Sequence, residues 1–156
     1  MAPRKTARKA DDKRQVKDVM VDEVLTIESA ATLLEAAEQM RYSNIGMLPV
    51  MEDGMLRGVV TDRDLVVRAM TRDVRPSEVQ VADCLTEPPR YAEPEWSLED
   101  AMVEMARQHV GRLPVIDAGG KIIGVVTLSS LALRGGRQED TLEAAREVSR
   151  RSSRIA

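Results

Sequence analysis

The chain has 156 residues, 43% hydrophobic and 31% charged, with a formal net charge of −3. This suits one compact soluble domain, or two small halves sharing a core. A single cysteine, Cys84, excludes an intrachain disulfide, and no apolar run approaches the roughly 18 residues that cross a bilayer.

No signal-peptide pattern opens the chain, so the expected setting is reducing and cytoplasmic. Phe is absent and there are one Trp and two Tyr. The core must therefore be aliphatic, and any bound base would lie between aliphatic side chains rather than on an aromatic stack.

Charge is unevenly distributed. Residues 1–14 carry +4 and residues 134–156 carry +2, which leaves −9 on residues 15–133. An acidic body with basic ends is not a nucleic-acid-binding surface, and neither nucleic acid nor membrane is expected as a partner. The head "MAPRKTARKADDKR" is apolar-poor, and residues 1–15 are read as a disordered basic tail.

An internal repeat follows. Shifted by 65 residues, "VKDVM" (16–20) falls on "VADCL" (81–85), and "LLEAAEQM" (33–40) falls on "LEDAMVEM" (98–105). "IGMLPVMEDG" (45–54) falls on "VGRLPVIDAG" (110–119). One extra residue, Gly120, moves the offset to 66, and "GVVT" (58–61) then falls on an identical "GVVT" (124–127). The reading is repeat 1 over 16–70, a linker over 71–80 containing Pro76, repeat 2 over 81–134, and a tail over 135–156.

Within each repeat the order of elements is the same. A short extended segment is predicted around Val24–Ile27, and again at Arg90–Ala92. A helix follows, with its apolar stripe on Leu33, Leu34, Ala37 and Met40, or on Leu98, Ala101, Met102 and Met105. Two β-branched runs come next, 45–51 with 56–61 and 110–117 with 122–127. Glu52-Asp53-Gly54 and 117–120 supply hairpin turns between them. A second helix starts at Asp62 or Leu128. The fold class is therefore α+β: two tandem β-α-β-β-α units, each too small to be stable alone, packed about a pseudo-twofold axis. The tail "EDTLEAAREVSRRSSR" reads as a further helix with Leu142, Ala145 and Val148 on one side.

Two such units carrying "GMLPV"/"GRLPV" and "GVVTDRD"/"GVVTLSS" resemble a pair of CBS domains, the Bateman module, over Val16–Arg134. The chain is similar to small stand-alone bacterial CBS-pair proteins, including those of the hypoxic-response type. The resemblance implies two clefts, adenosine-containing ligands (AMP, ADP, ATP or S-adenosylmethionine), and homodimers, commonly a flat disc of four CBS units.

Thr61 ends a strand and precedes a helix, with Asp64 three residues on. This is a capping-box pattern, [ST]xx[DE], whose whole purpose can be structural. The same geometry offers N–H groups and a hydroxyl to a phosphate. Arg63 would add charge, and Asp64 could accept hydrogen bonds from ribose hydroxyls. Family resemblance assigns phosphate to the threonine and ribose to the acid. In repeat 2 Thr127 is kept, but Ser130 stands where the acid belongs. Arg112, beside Gly111, has Met47 as its counterpart and could face a phosphate, from the same ligand or a second one. The candidate ligand residues are thus Thr61, Arg63, Asp64, Gly111, Arg112 and Thr127.

The adenine clamp would come from backbone and aliphatic groups near Met20, Leu25, Ile45 and Gly46, or Leu85, Arg90, Val110 and Gly111. His109 closes a helix and Cys84 is expected to be buried. No nucleophile–base pair, metal-ligand cluster, Walker loop or GxGxxG is present. The expectation is a non-enzymatic regulatory sensor needing no cofactor or metal. The alternative is a ligand-free interaction module acting through dimerisation and an unidentified protein partner.

Overall fold

The computed structural model describes residues 13–150. The basic head expected to be disordered lies outside the described residues for 1–12, while Arg14 and Gln15 are engaged. Arg14 donates to the carbonyls of Arg134 and Gly135 at 2.9 and 2.6 Å. Gln15 bridges to Ser97 and donates to Glu95 O at 2.9 Å.

A one-turn helix α1 (Val16–Val19) opens the fold. Strand β1 (Ile27–Glu28) runs parallel to β2 (Met47–Glu52), and β2 pairs antiparallel with β3 (Met55–Thr61). Helix α2 (Leu33–Ser43) lies between β1 and β2 in sequence. Its start is fixed by a reciprocal box, because Glu35 N donates to Thr32 Oγ1 and Thr32 N donates to Glu35 Oε2. The turn is Asp53-Gly54, both at positive φ, as a two-residue hairpin of this hand requires. After β3 the chain enters α3 (Asp62–Asp64), which continues through a π turn (Leu65–Ala69) and a 3-10 turn (Met70–Arg72). This continuous element is called helix 62–72 below.

Repeat 2 follows the same plan. A 3-10 turn (Val81–Asp83) is the counterpart of α1. Helix α4 (Leu98–Gln108), the hairpin of β4 (Arg112–Ile116) and β5 (Ile122–Thr127), and α5 (Leu128–Leu133) complete it. Both hairpins shift register at the same place, after Val50 and after Val115. The predicted first strands are shorter than expected. Only Ile27–Glu28 pairs in repeat 1, and only Ala92 in repeat 2, through a parallel bridge to Val115.

The stripe on α2 is also different from the predicted one. Leu33, Ala36 and Met40 are buried, while Leu34 and Ala37 are exposed. Adjacent leucines allow either stripe, and tertiary packing selects one. On α4 the predicted stripe is the buried one.

The two cores are built across the repeats. Val16 and Val19, from the start of repeat 1, are buried among Leu98, Met105, Leu113 and Val126 of repeat 2. Val81, Cys84 and Leu85, from the start of repeat 2, are buried among Leu33, Leu48, Val50 and Val60 of repeat 1. Each leading segment then adds to the opposite sheet. Val21 exchanges backbone hydrogen bonds of 2.9 and 2.8 Å with Val125 on β5, and Thr86 exchanges bonds of 2.8 and 3.2 Å with Val59 on β3. The leading segments are thus crossed between the halves.

Helix α6 (Gln138–Arg150) packs along α4 and α5. It buries Thr141 and Ala144 and leaves Leu142 exposed. The inward face is therefore turned from the predicted one, with Ala145 and Val148 at its margin. His109 occupies the left-handed position ending α4, and its Nδ1 lies 3.1 Å from Glu147 O on α6. No described helix is long and apolar enough to cross a membrane.

Candidate functional site

The identical phrase ends each hairpin at the mouth of a helix. Thr61 is the N-cap of helix 62–72, with its Oγ1 accepting from Asp64 N at 3.1 Å. Asp64 Oδ2 accepts from Thr61 N at 3.0 Å. The capping box is therefore formed. The Thr61 hydroxyl proton has no acceptor among the described residues.

Asp64 does more than cap. Its Oδ1 lies 3.5 Å from Arg68 Nε, and its side chain is 13% exposed. Arg68 Nη1 in turn donates to Leu85 O at 2.9 Å and Cys84 O at 3.1 Å. Those carbonyls belong to the crossed segment of repeat 2. The acid thus orients an arginine that clamps the other half's leading segment. Burial raises the Cys84 thiol above its usual range, against an opposing pull from the Arg72 and Arg68 charges, and keeps it neutral.

The second mouth keeps the box and the clamp without the acid. Ser130 N donates to Thr127 Oγ1 and Thr127 N donates to Ser130 Oγ, each at 3.0 Å. Ser130 Oγ also donates to Thr127 O at 2.9 Å. Its side chain is consumed by local backbone, so it has little to offer a diol. Arg134, the counterpart of Arg68, donates to Met20 O at 3.0 Å, and Met20 is the counterpart of Leu85. This pair of arginines is absent from the sequence reading. The signal was available, since Arg68 and Arg134 are related by the same offset of 66.

The two "GVVT" glycines serve this crossing too. A Cβ on Gly58 would come within 2.5 Å of both Leu85 Cδ1 and Thr86 O. One on Gly124 would meet Met20 Sδ at 2.6 Å and Val21 O at 3.0 Å. Gly58 therefore makes room for the crossed backbone. Met20 and Leu85, both considered for an adenine clamp, pack against these glycines.

The remaining candidates divide between the mouths. Arg63 is exposed beside Asp62, whose Oδ1 accepts from Arg63 N at 2.7 Å. Asp62 also lies over Gly46, with Oδ2 2.9 Å from where a Cβ would stand. Asp62 thus adds a second carboxylate near this mouth, a charge the sequence reading overlooked. At the second mouth Leu128 takes that place over Gly111, 3.7 Å away by the same measure. Arg112 is exposed and pairs in register with Thr127, as Met47 pairs with Thr61. Gly111, Arg112 and Thr127 are therefore brought together, and Thr61, Arg63 and Asp64 form a separate group. Among the described residues Arg112 makes no hydrogen bond or ion pair with Asp64.

Concave surface occurs elsewhere. A cavity of about 230 Å³ lies among Pro89, Arg90, Tyr91, Glu93, Trp96 and Glu104. A groove of about 560 Å³ separates α4 from α6. Neither is lined by Thr61 or Asp64. No group of three or more His, Cys, Asp or Glu among the described residues is placed to hold a metal.

Crossed α+β repeats with a capped helix mouth in each half define a tandem β-α-β-β-α pair. The family model described as "CBS domain" matches residues 16–71 and 81–134, and the chain belongs to that family. It is 35% identical over 134 residues to the CBS domain-containing protein YhcV of Bacillus subtilis, covering 86% of this chain and 94% of that protein. It is 29% identical over 117 residues to Hypoxic response protein 1 of Mycobacterium tuberculosis, covering 74% of this chain and 81% of that protein. Among solved structures it is similar to CBSX2 in complex with AMP, with a TM-score of 0.69 and 28% identity over 80% of this chain and 97% of that one.

Proposed function

We propose that this protein is a non-enzymatic CBS-pair sensor. It binds an adenosine-containing ligand, AMP, ADP, ATP or S-adenosylmethionine, at the mouth bearing Thr61, Arg63 and Asp64. The observation that carries this reading is the Asp64 carboxylate. It is the one difference in chemistry between two otherwise matching capping boxes, and it is held part-buried by Thr61 N and Arg68. The similarity to a CBS pair bound to AMP supports the ligand class. The mouth at Gly111, Arg112 and Thr127 lacks a diol acceptor and serves at most as a weaker anion position. A ligand acts on such a module only through different affinity for two states. Micromolar binding, worth about −8 kcal/mol, is ample for that.

Ser130 supplies the control. Because serine caps the second helix, Asp64→Ser keeps the box while removing the carboxylate. Titration calorimetry with AMP, ATP and S-adenosylmethionine should give binding to the wild type and at least a tenfold weaker affinity in Asp64→Ser. Circular dichroism should be unchanged. Absence of binding to the wild type, or equal binding by the variant, overturns the assignment.

A second reading has its own observation. All the polar atoms of Ser130, and both carboxylate oxygens of Asp64, already have partners in the fold. In that case the pair is a ligand-free interaction module, and its melting temperature is the same with and without every nucleotide.

A further inference from the structure

The cavity beside Trp96 departs from the symmetry of the repeats. At the offset of 65, Tyr91, Trp96 and Glu104 fall on Thr26, Ala31 and Gln39. Gln39 Nε2 donates to Thr26 O at 3.2 Å and closes that position against its own helix. Glu104 is an acceptor and cannot do the same for Tyr91 O. Its Oε1 accepts from Gln108 at 2.8 Å instead, and its Oε2 lies 3.8 Å from Arg107 Nη1. The space left open is walled by Tyr91 and Trp96, two of the three aromatic residues in the chain, and by the Glu93 and Glu104 carboxylates. Aromatic faces beside carboxylates suit a cation on an alkyl stem, an ammonium or a guanidinium. Arg90 offsets one acid, but residues 87–100 hold five acids and that single arginine. Among the described residues, the exposed side chains of Glu93 and Glu95 have no hydrogen bond or ion pair.

The chain itself brings cations to this edge. Val16 N donates to Trp96 O at 2.9 Å, Lys17 N to Pro94 O at 3.0 Å, and Gln15 Nε2 to Glu95 O at 2.9 Å. The described fold thus begins against the wall of the cavity. The residues ahead of it include Arg4, Lys5, Arg8 and Lys9. Lys9 stands four residues before Lys13 and Arg4 nine, so extended chain carries them as far as about 14 and 30 Å. That is enough to turn back over residues 93–96. We propose that the occupant of this cavity is the basic head of the same chain, residues 1–12, which seats an Arg or Lys side chain between Trp96 and the Glu93 and Glu104 carboxylates.

The contact is an ionic strap on the flank of repeat 2. Its groups are largely exposed, so each attraction is small and screened by salt. Being tethered, the head meets the cavity at a high effective concentration, which lets a weak contact hold. Neither Thr61 nor Asp64 lines this cavity, so the strap does not depend on the ligand proposed for their mouth.

Trp96 is the only tryptophan and reports on the cavity directly. Acrylamide quenching of its fluorescence in the full chain tests the strap. In low salt the wild type should be protected, and quenching should rise about twofold in about 1 M salt, where charges are screened beyond about 3 Å. A chain carrying Arg4→Ser, Lys5→Ser, Arg8→Ser and Lys9→Ser should be quenched at the higher level in both. A peptide of residues 1–12 added to that chain should restore its protection, and the same peptide with the four serines should not. Glu93→Lys, at an exposed position, should behave as the neutralised chain does, with unchanged circular dichroism. Glu143→Lys, exposed on the groove between α4 and α6, should behave as wild type. Equal quenching of the wild type and the neutralised chain in low salt overturns the proposal. So does protection lost in Glu143→Lys but kept in Glu93→Lys, which would put the head on the other groove. Protection of the neutralised chain by spermidine but not by the peptide would make the cavity a site for free cations, and overturns it as well.

Discussion

Asp64 and Ser130 occupy one position of a repeated pattern and perform one shared task. Each completes a box with the threonine that ends "GVVT". The difference lies in what else the side chain reaches. Asp64 contacts Arg68, and Arg68 holds the Cys84 and Leu85 carbonyls. Arg134 holds Met20 O with no acid behind it. Hydrogen bonds from a charged donor contribute about 1.5–3 kcal/mol. We therefore expect Arg68→Ala to lower unfolding free energy in urea by about that amount, and Arg134→Ala, with one carbonyl rather than two, by less. Equal small losses would remove the clamp from the account of stability. The box was legible in the sequence as a spacing of three. The clamp was not, because it joins residues 16 or 17 positions apart at Arg68, and 114 apart at Arg134, whose nearness depends on the crossing.

The elements themselves were largely legible, since both helices and the hairpin of each repeat carry their own periodicity and turn residues. The misplaced α2 stripe has a local cause: Leu33 and Leu34 each begin a credible helical face, and only the sheet decides between them. The crossing of the leading segments left no local mark, because "VKDVM" and "VADCL" have interchangeable patterns. It shows instead in the glycines. Gly58 and Gly124 lie against the backbone of the opposite leading segment, too close for a Cβ. Gly58→Ala and Gly124→Ala should each cost about 1–3 kcal/mol of stability through overpacking. Denaturant midpoints would show this, and a neutral Gly58→Ala would mean that the Leu85–Thr86 segment yields easily. The candidate ligand mouth was legible as residue types but not as two groups. Register, which pairs Arg112 with Thr127 and Met47 with Thr61, separates them.

At the scale of the molecule, the repeat in the sequence and the unit of packing are offset from each other. One core takes its residues from Ile27 to Leu85, a single stretch of chain. The other joins Val16 and Val19 to residues from Ala92 to Ala144. A fragment spanning 22–90 contains a whole core, whereas one spanning 16–70 lacks Val81, Cys84 and Leu85. Of the two, 22–90 should show the more dispersed amide spectrum and the higher protection from proteolysis. The reverse result would mean that the leading segments can switch sides.

The crossing also fixes how the protein would bear a load. Both described ends of the chain, Arg14 and α6, are fastened to the same half, where Arg14 grips the Arg134 and Gly135 carbonyls. Tension applied between those ends passes through that half alone. The other half is a closed detour in the chain, slack until its host has been pulled open. A tether at either end would therefore strain repeat 2 first and leave the Asp64 mouth undisturbed.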